Sequence, residues 1–494
     1  MGYRNAITAI VAAALLLTGC DRLDTSAVPV TVIGKPPLLV DPASGPLTPG
    51  QAVLLSSTAQ GLVRFDAAGQ IEPGLAERWN VSDDGLSYIF RLAAGTWPNG
   101  RKINAADVAR LLRRQLGATS RNGLKDTVGA VAQVVAMTDR VLEIRLVAPR
   151  PNLLQLLAQP EFGMVRGGQG SGPFMLDETP LAEADEKAVA DAMRLVRSLP
   201  AADGDDVVKV HVWLSAMPVE AAVKAFADGK TSLVLGGNFA DLGVALGARL
   251  PRGTLRFDPV FGLFGLVPMR AGGPLADPEV RALLNAAIDR SALLGSFGVP
   301  DLQPRTSLLQ PGLDGVSDPS VPVWGTIPIG QRREQLIATA KTLFGETPQT
   351  VRIALPEGPG AEILLRRLRN DWGILGVTVE LSVRGQPTDL RLVDQVAPSD
   401  SPAWFLRQFR CGVAPVCVPA ADPLLEAARK TLNATERAGL FSQAERQMVD
   451  ATLFLPLAAP VRWSLSARGI SNFVENRFAR HPLTSLRDRP QRRD

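Results

Sequence analysis

Between residues 61 and 116 the chain alternates turn formers with short apolar runs, a pattern that admits antiparallel strands followed by one amphipathic helix and little else. Leu62, Val63 and Phe65 lead into the polar turn Asp66-Ala67-Ala68-Gly69-Gln70, and Ile71 restarts the apolar pattern, which predicts a short hairpin. Trp79 and Val81 precede an Asp83-Asp84-Gly85 turn, after which Leu86, Tyr88, Phe90 and Leu92 alternate with polar or small residues. That period of two describes a strand with one wet face. After the Trp97-Pro98-Asn99-Gly100 turn, Asn104 is placed to cap a helix whose apolar face carries Val108, Leu111, Leu112 and Leu116.

Further along, Pro274-Leu275-Ala276-Asp277-Pro278-Glu279-Val280-Arg281 opens a second helix. Asp277 is its N-cap, Pro278 suits the first turn, and Val280, Leu283, Leu284, Ala287 and Ile288 make the buried stripe, with Asp289-Arg290 read as its end. Together with Leu75-Ala76-Glu77-Arg78-Trp79, Ser82-Asp83-Asp84-Gly85 and Asp107-Val108, this ordered series resembles the signatures of the peptide/nickel family of ABC-transporter solute-binding proteins, family 5. The resemblance implies an α/β, two-lobed periplasmic-binding-protein-like fold of type II, with an extra subdomain inserted in the first lobe.

The whole chain is consistent with that size and class. At 494 residues it exceeds what one hydrophobic core usually serves, so several lobes are expected. A net charge of +4 is small for this length and gives no warrant for nucleic-acid binding. Only His211 and His481 are available as imidazoles, so a histidine-based metal or catalytic site has little material. No serine-nucleophile signature and no Gly-rich phosphate loop appears, and the resemblance implies neither catalysis nor a cofactor.

The N-terminus carries an address. Arg4 precedes an apolar run from Ala6 to Leu17, signal-peptide length and too short to span a bilayer. It ends in Leu17-Thr18-Gly19-Cys20, which matches the bacterial lipobox, so Cys20 is the expected site of lipidation. Multiple acyl chains would hold the mature protein where one would exchange. The lipoprotein resemblance, with Asp21 after the Cys, implies a periplasmic protein anchored to the outer face of the inner membrane.

The expected organisation is a signal peptide over 1–19, a tether and entry strand over 20–37, and a first lobe over 38–269 with its inserted subdomain at about 61–170. A second lobe over 270–451 and a return to the first lobe over 452–494 complete it. Residues 207–235 and 351–383 each read as strand, helix, Gly, strand, the pattern of a parallel crossover. The acidic, alanine-rich segment from Asp177 to Asp206 is expected to carry a helix from Ala188 to Val196. Pro300 to Gly330 is a long loop, on the surface or facing a ligand.

Peptide-binding members of the family place a second-lobe carboxylate opposite the peptide ammonium, after a Gly-Trp pair. Here the matching stretch runs Thr388 to Gln395 and lacks Gly-Trp, leaving Asp394 and Asp400 as candidates. Arg384 is a candidate for a ligand carboxylate, and Trp404 for a ligand platform. Phe174, in Ser171-Gly172-Pro173-Phe174, stands where the family has Tyr, keeping the ring and losing the hydroxyl. Cys411 and Cys417 are the two thiols left once Cys20 is acylated, and export favours a disulfide between them, worth about 2 kcal/mol for so small a loop.

The function implied is a monomeric, lipid-anchored solute-binding component that captures a peptide or other small solute and delivers it to an ABC permease and ATPase complex. Nickel or haem chelates stay open as cargo. A second reading keeps the fold without transport, as a sensor, chaperone or envelope interaction protein.

Overall fold

A computed structural model describes residues 27–178, 192–200 and 207–488 of the chain. The signal segment and Cys20 lie outside the described residues. Two large sheets organise the molecule. The first has seven strands in the order Met175–Leu176, Met193–Pro200, Val207–Met217, Val28–Ile33, Leu233–Asn238, Arg462–Ser466, Leu255–Phe257. The second has five, in the order Val377–Leu381, Gln349–Ala354, Leu390–Val396, Gly262–Pro268, Leu455–Ala458.

Parallel pairing sits where the sequence pattern asks for it. Val28–Ile33 lies between Val207–Met217 and Leu233–Asn238, parallel to both, so the entry strand fills the gap left by the crossover through helix Val219–Ala227. Val28, Val30 and Val32 are buried there, as central strands covered on both faces require. In the second sheet, Gln349–Ala354 and Val377–Leu381 pair in parallel and are linked by helix Pro359–Gly373.

The inserted unit is a separate antiparallel sheet in the order Ala76–Val81, Ser87–Leu92, Val141–Leu146, Val131–Thr138. Tyr88, Phe90 and Leu92 point into its core with Leu142 and Ile144, against Val108 and Leu112 of helix Ala105–Leu116. The Asn104 side chain accepts the Asp107 amide at 2.8 Å, capping that helix. The C-terminal segment docks here, with Phe478 stacked on Phe65 at 4.6 Å.

The chain passes between the two large sheets twice, from Phe257 to Gly262 and from Ala458 to Arg462. Behind this double crossing the lobes share a packed core. Phe239 of the first lobe meets Phe264 of the crossing strand at 4.9 Å and Phe297 of the second lobe at 6.1 Å. Gly360 donates its amide to Ala240 O at 3.0 Å, and a Cβ at Gly360 would lie 2.0 Å from Phe239 O. The close approach excludes any larger residue.

Two local expectations are corrected. Residues 193–196 are not helical; they belong to strand Met193–Pro200, antiparallel to Val207–Met217 with Leu195 opposite Val212. The apolar residues of this short run fit either period, and pairing with an existing sheet decides the matter. Asp289-Arg290 begins a helix instead of ending one: Asp289 accepts the Ala292 amide and caps Arg290–Phe297. Arg290 is buried and donates to Pro456 O, Asn285 O and Asn285 Oδ1, tying this helix to the returning strand Leu455–Ala458.

Candidate functional site

Two adjoining cavities lie between the lobes. The larger, about 530 Å³, is walled by Thr48, Pro49 and Ala52 at the start of helix Pro49–Thr58, by Gly236, and by residues 395–398 of the second lobe. The smaller, about 240 Å³, lies between Asp126, Thr127 and the Pro149-Arg150-Pro151-Asn152 turn on one side and helices Pro402–Arg407, Ala421–Lys430 and Ala434–Asp450 on the other. Asp126, Thr127, Trp404 and Arg407 line both.

The structure places each sequence-predicted residue differently. Asp394 lies on strand Leu390–Val396, and Arg462 Nη1 donates to its Oδ1 at 2.8 Å and its Oδ2 at 3.0 Å. Burial pushes the Asp394 carboxyl above its usual range, and Arg462 pulls it back. Asp400 Oδ2 accepts from Gln155 Nε2 and from Arg477 Nη1, both at 2.9 Å. The Asp400 amide returns a bond to Gln155 Oε1 at 2.9 Å, and Gln159 Nε2 donates to Pro398 O at 2.8 Å. These bonds join the inserted subdomain and the C-terminal segment to the second lobe across the cleft. The oxygens a cationic ligand group would seek are therefore largely engaged within the protein.

Trp404 is buried to 6% exposure, packs edge-on against Phe405 at 4.9 Å, and still lines both cavities. Arg384 is exposed in the turn after Val377–Leu381, the edge strand of its sheet, and lines neither cavity. An edge position carries it away from the cleft. Phe174 is buried in the first-lobe core with Val28 and Leu214, where a ring without a hydroxyl leaves nothing to satisfy. Cys411 and Cys417 are joined across a six-residue separation, Cα to Cα 5.2 Å. The loop from 300 to 330 is held to the second lobe by Glu445, which accepts the Leu309 amide at 2.8 Å and the Ser320 amide at 2.9 Å.

Sequence reading passed over the arginines. Arg150, Arg407, Arg410, Arg429 and Arg437 line the smaller cavity. Burial lowers the Arg150 guanidinium to about 10, and the neighbouring Arg429, Arg407 and Arg437 push the same way. Burial also lowers Arg407, against the pull of Asp126. The signal available was the Arg407 to Arg410 spacing behind Trp404 and an arginine clamped between two prolines at 149 and 151. Among the described residues no cluster of three or more His, Cys, Asp or Glu is placed to hold a metal ion.

Two α/β lobes hinged by paired crossing strands, with a partly enclosed cavity between them, define a solute-binding protein of the type II periplasmic class. The chain belongs to the bacterial extracellular solute-binding proteins, family 5 Middle, whose family model matches residues 70–383. It is similar to a probable di/tripeptide-binding protein 5 of Pseudomonas aeruginosa strain UCBPP-PA14, 23% identical over 488 residues, covering 86% of this chain and 89% of the other. Among solved structures it resembles Haemophilus influenzae OppA in complex with RPPGFSPFR, with a TM-score of 0.77, 16% identity, and 94% and 99% of the two chains covered. The Escherichia coli murein tripeptide binding protein MppA gives a TM-score of 0.77 at 18% identity, covering 94% of this chain and 99% of its own.

Proposed function

We propose that the chain is the lipid-anchored solute-binding component of an ABC importer, taking a peptide or similar small solute into the interlobe cleft and presenting it to a membrane permease. The observation that carries the reading is the pair of adjoining, partly enclosed cavities between lobes that two strand crossings link. A relative named for di- and tripeptides supports peptide-like cargo. Cys20 is the proposed lipid attachment point after removal of residues 1–19, holding the protein on the periplasmic side of the inner membrane. The proposed division puts the first lobe at 38–269 with its insert at about 61–170, the second at 270–451, and the return at 452–494, with strands Gly262–Pro268 and Leu455–Ala458 paired into the second-lobe sheet. Trp404 belongs to the site; its role is to wall the cavities and close them from water.

The test is mass spectrometry of solute co-purified with the protein, calorimetry with peptide pools, and small-angle scattering for lobe closure. Absence of binding to every pool, with no change in scattering, would refute it.

A second reading, a binding fold kept as an envelope sensor or chaperone, is favoured by one observation: Asp394 and Asp400 are engaged by Arg462 and Arg477. Permease and ATPase genes beside this one would decide for transport.

A further inference from the structure

We propose that the smaller interlobe cavity is an oxyanion site, and that the solute this chain captures carries at least two negative charges. The inference deepens the solute-binding reading and rests on it. Five arginines line that cavity against three acids, Asp126, Asp314 and Glu426. Glu426 is already committed to Arg429 at 2.6 Å and Lys430 at 3.2 Å. Asp126 is exposed and draws on Arg407 without forming an ion pair, and Asp314 is exposed. Among the described residues Arg150, Arg407 and Arg437 make no ion pair at all; Arg437 donates only to the carbonyls of Thr431 and Leu432.

Two further donors at the same cavity lack partners. Ser399 is 1% exposed and its Oγ has no hydrogen bond, and Arg410 Nε has none either, with Asp422 Oδ1 at 3.8 Å. Buried donors without acceptors cost free energy until something accepts from them. Arg150 belongs to the inserted subdomain, Arg407, Arg410 and Arg437 to the second lobe, so lobe closure brings like charges together across the cleft. An anion with several oxygens between them turns that repulsion into attraction from both sides. Oδ2 of Asp400 and both oxygens of Asp394 are taken by protein arginines, and Asp400 Oδ1, which has no hydrogen-bond partner, does not line the smaller cavity. The chemistry that fits is a pair of carboxylates or a phosphate on a small solute.

The experiment is calorimetry on the purified protein with citrate, Glu-Glu, glycerol 3-phosphate, Ala-Ala and Lys-Lys, each with scattering to follow closure. The expected result is binding of one or more anionic probes, weakened on raising NaCl from about 50 to 500 mM, with the carboxylate and phosphate arms separating the two sources of charge. R150Q and R407Q, tested separately so that one misfolded variant does not decide the matter, each weaken that binding at least tenfold with no loss of melting temperature. Unchanged anion affinity in both variants overturns the proposal. Binding of Ala-Ala or Lys-Lys with closure, and of no anionic probe, overturns it while leaving the solute-binding reading standing. No binding and no closure with any probe overturns both.

Discussion

Arg462 holds Asp394 with one nitrogen on both carboxylate oxygens, at 2.8 and 3.0 Å, and the two residues belong to different sheets. Asp394 sits in the second-lobe sheet and Arg462 opens the returning strand of the first, directly after the second crossing. Arg462 Nη2 also donates to Asp394 O at 3.1 Å. The pair therefore fastens the hinge where the chain passes from one lobe to the other.

Removing the cation should be costly. The side chains of Asp394 and Arg462 are 17% and 19% exposed, so Arg462→Ala leaves a carboxylate mostly out of water. A loss of about 3 kcal/mol is expected in urea unfolding. Adding Asp394→Asn should recover part of it, and a double variant as unstable as the sum of the singles would contradict the pairing.

Gly237 lies under the Trp463 indole. A Cβ there would come within 2.2 Å of the ring, and the ring is fixed by its Nε1 bond to Asn238 O at 2.8 Å. Gly237→Ala should destabilise by about 1–3 kcal/mol through overpacking. An unchanged thermal midpoint would show that the indole moves freely.

Glu445 predicts a pH dependence. Burial lifts its carboxyl above the ordinary 4.5, against the two amides it accepts. The folded chain then binds the proton more tightly than the unfolded chain, so this group's contribution to stability falls as pH rises from 4.5 through the folded value and is flat above it. Because Gln mimics the protonated carboxyl, the wild-type chain should match Glu445→Gln most closely in acid and lose stability relative to it toward neutral pH. Denaturant melts from pH 4.5 to 7 measure it, and a wild type that gains on the variant as pH rises would reverse the assignment.

Asp400 tests the contact across the cleft. Its Oδ2 takes donors from Gln155 and Arg477 at 2.9 Å each. Asp400→Ala should shift the unliganded protein toward separated lobes, read as a larger radius of gyration, with little change in unfolding free energy because the core the lobes share behind the crossings is untouched. An unchanged radius would place the control of closure elsewhere.

Much of this protein is written in short-range patterns. The alternation of Tyr88, Phe90 and Leu92 sets one face of a strand, and Asn104 and Asp277 begin helices because each side chain caps an amide two or three residues on. Such rules act within a few residues, so one sequence carries them openly. The run at 193–196 escaped because its apolar residues satisfy two periods, and only pairing with Val207–Met217 chose between them. The cleft lay further out of reach. Arg462 and Asp394 are 68 positions apart, and Arg150 meets Arg407 and Arg437 only because the inserted sheet faces the second lobe. Whether a charged side chain is paired, buried or left open to a solute depends on which elements the crossings bring together, and no local propensity encodes that.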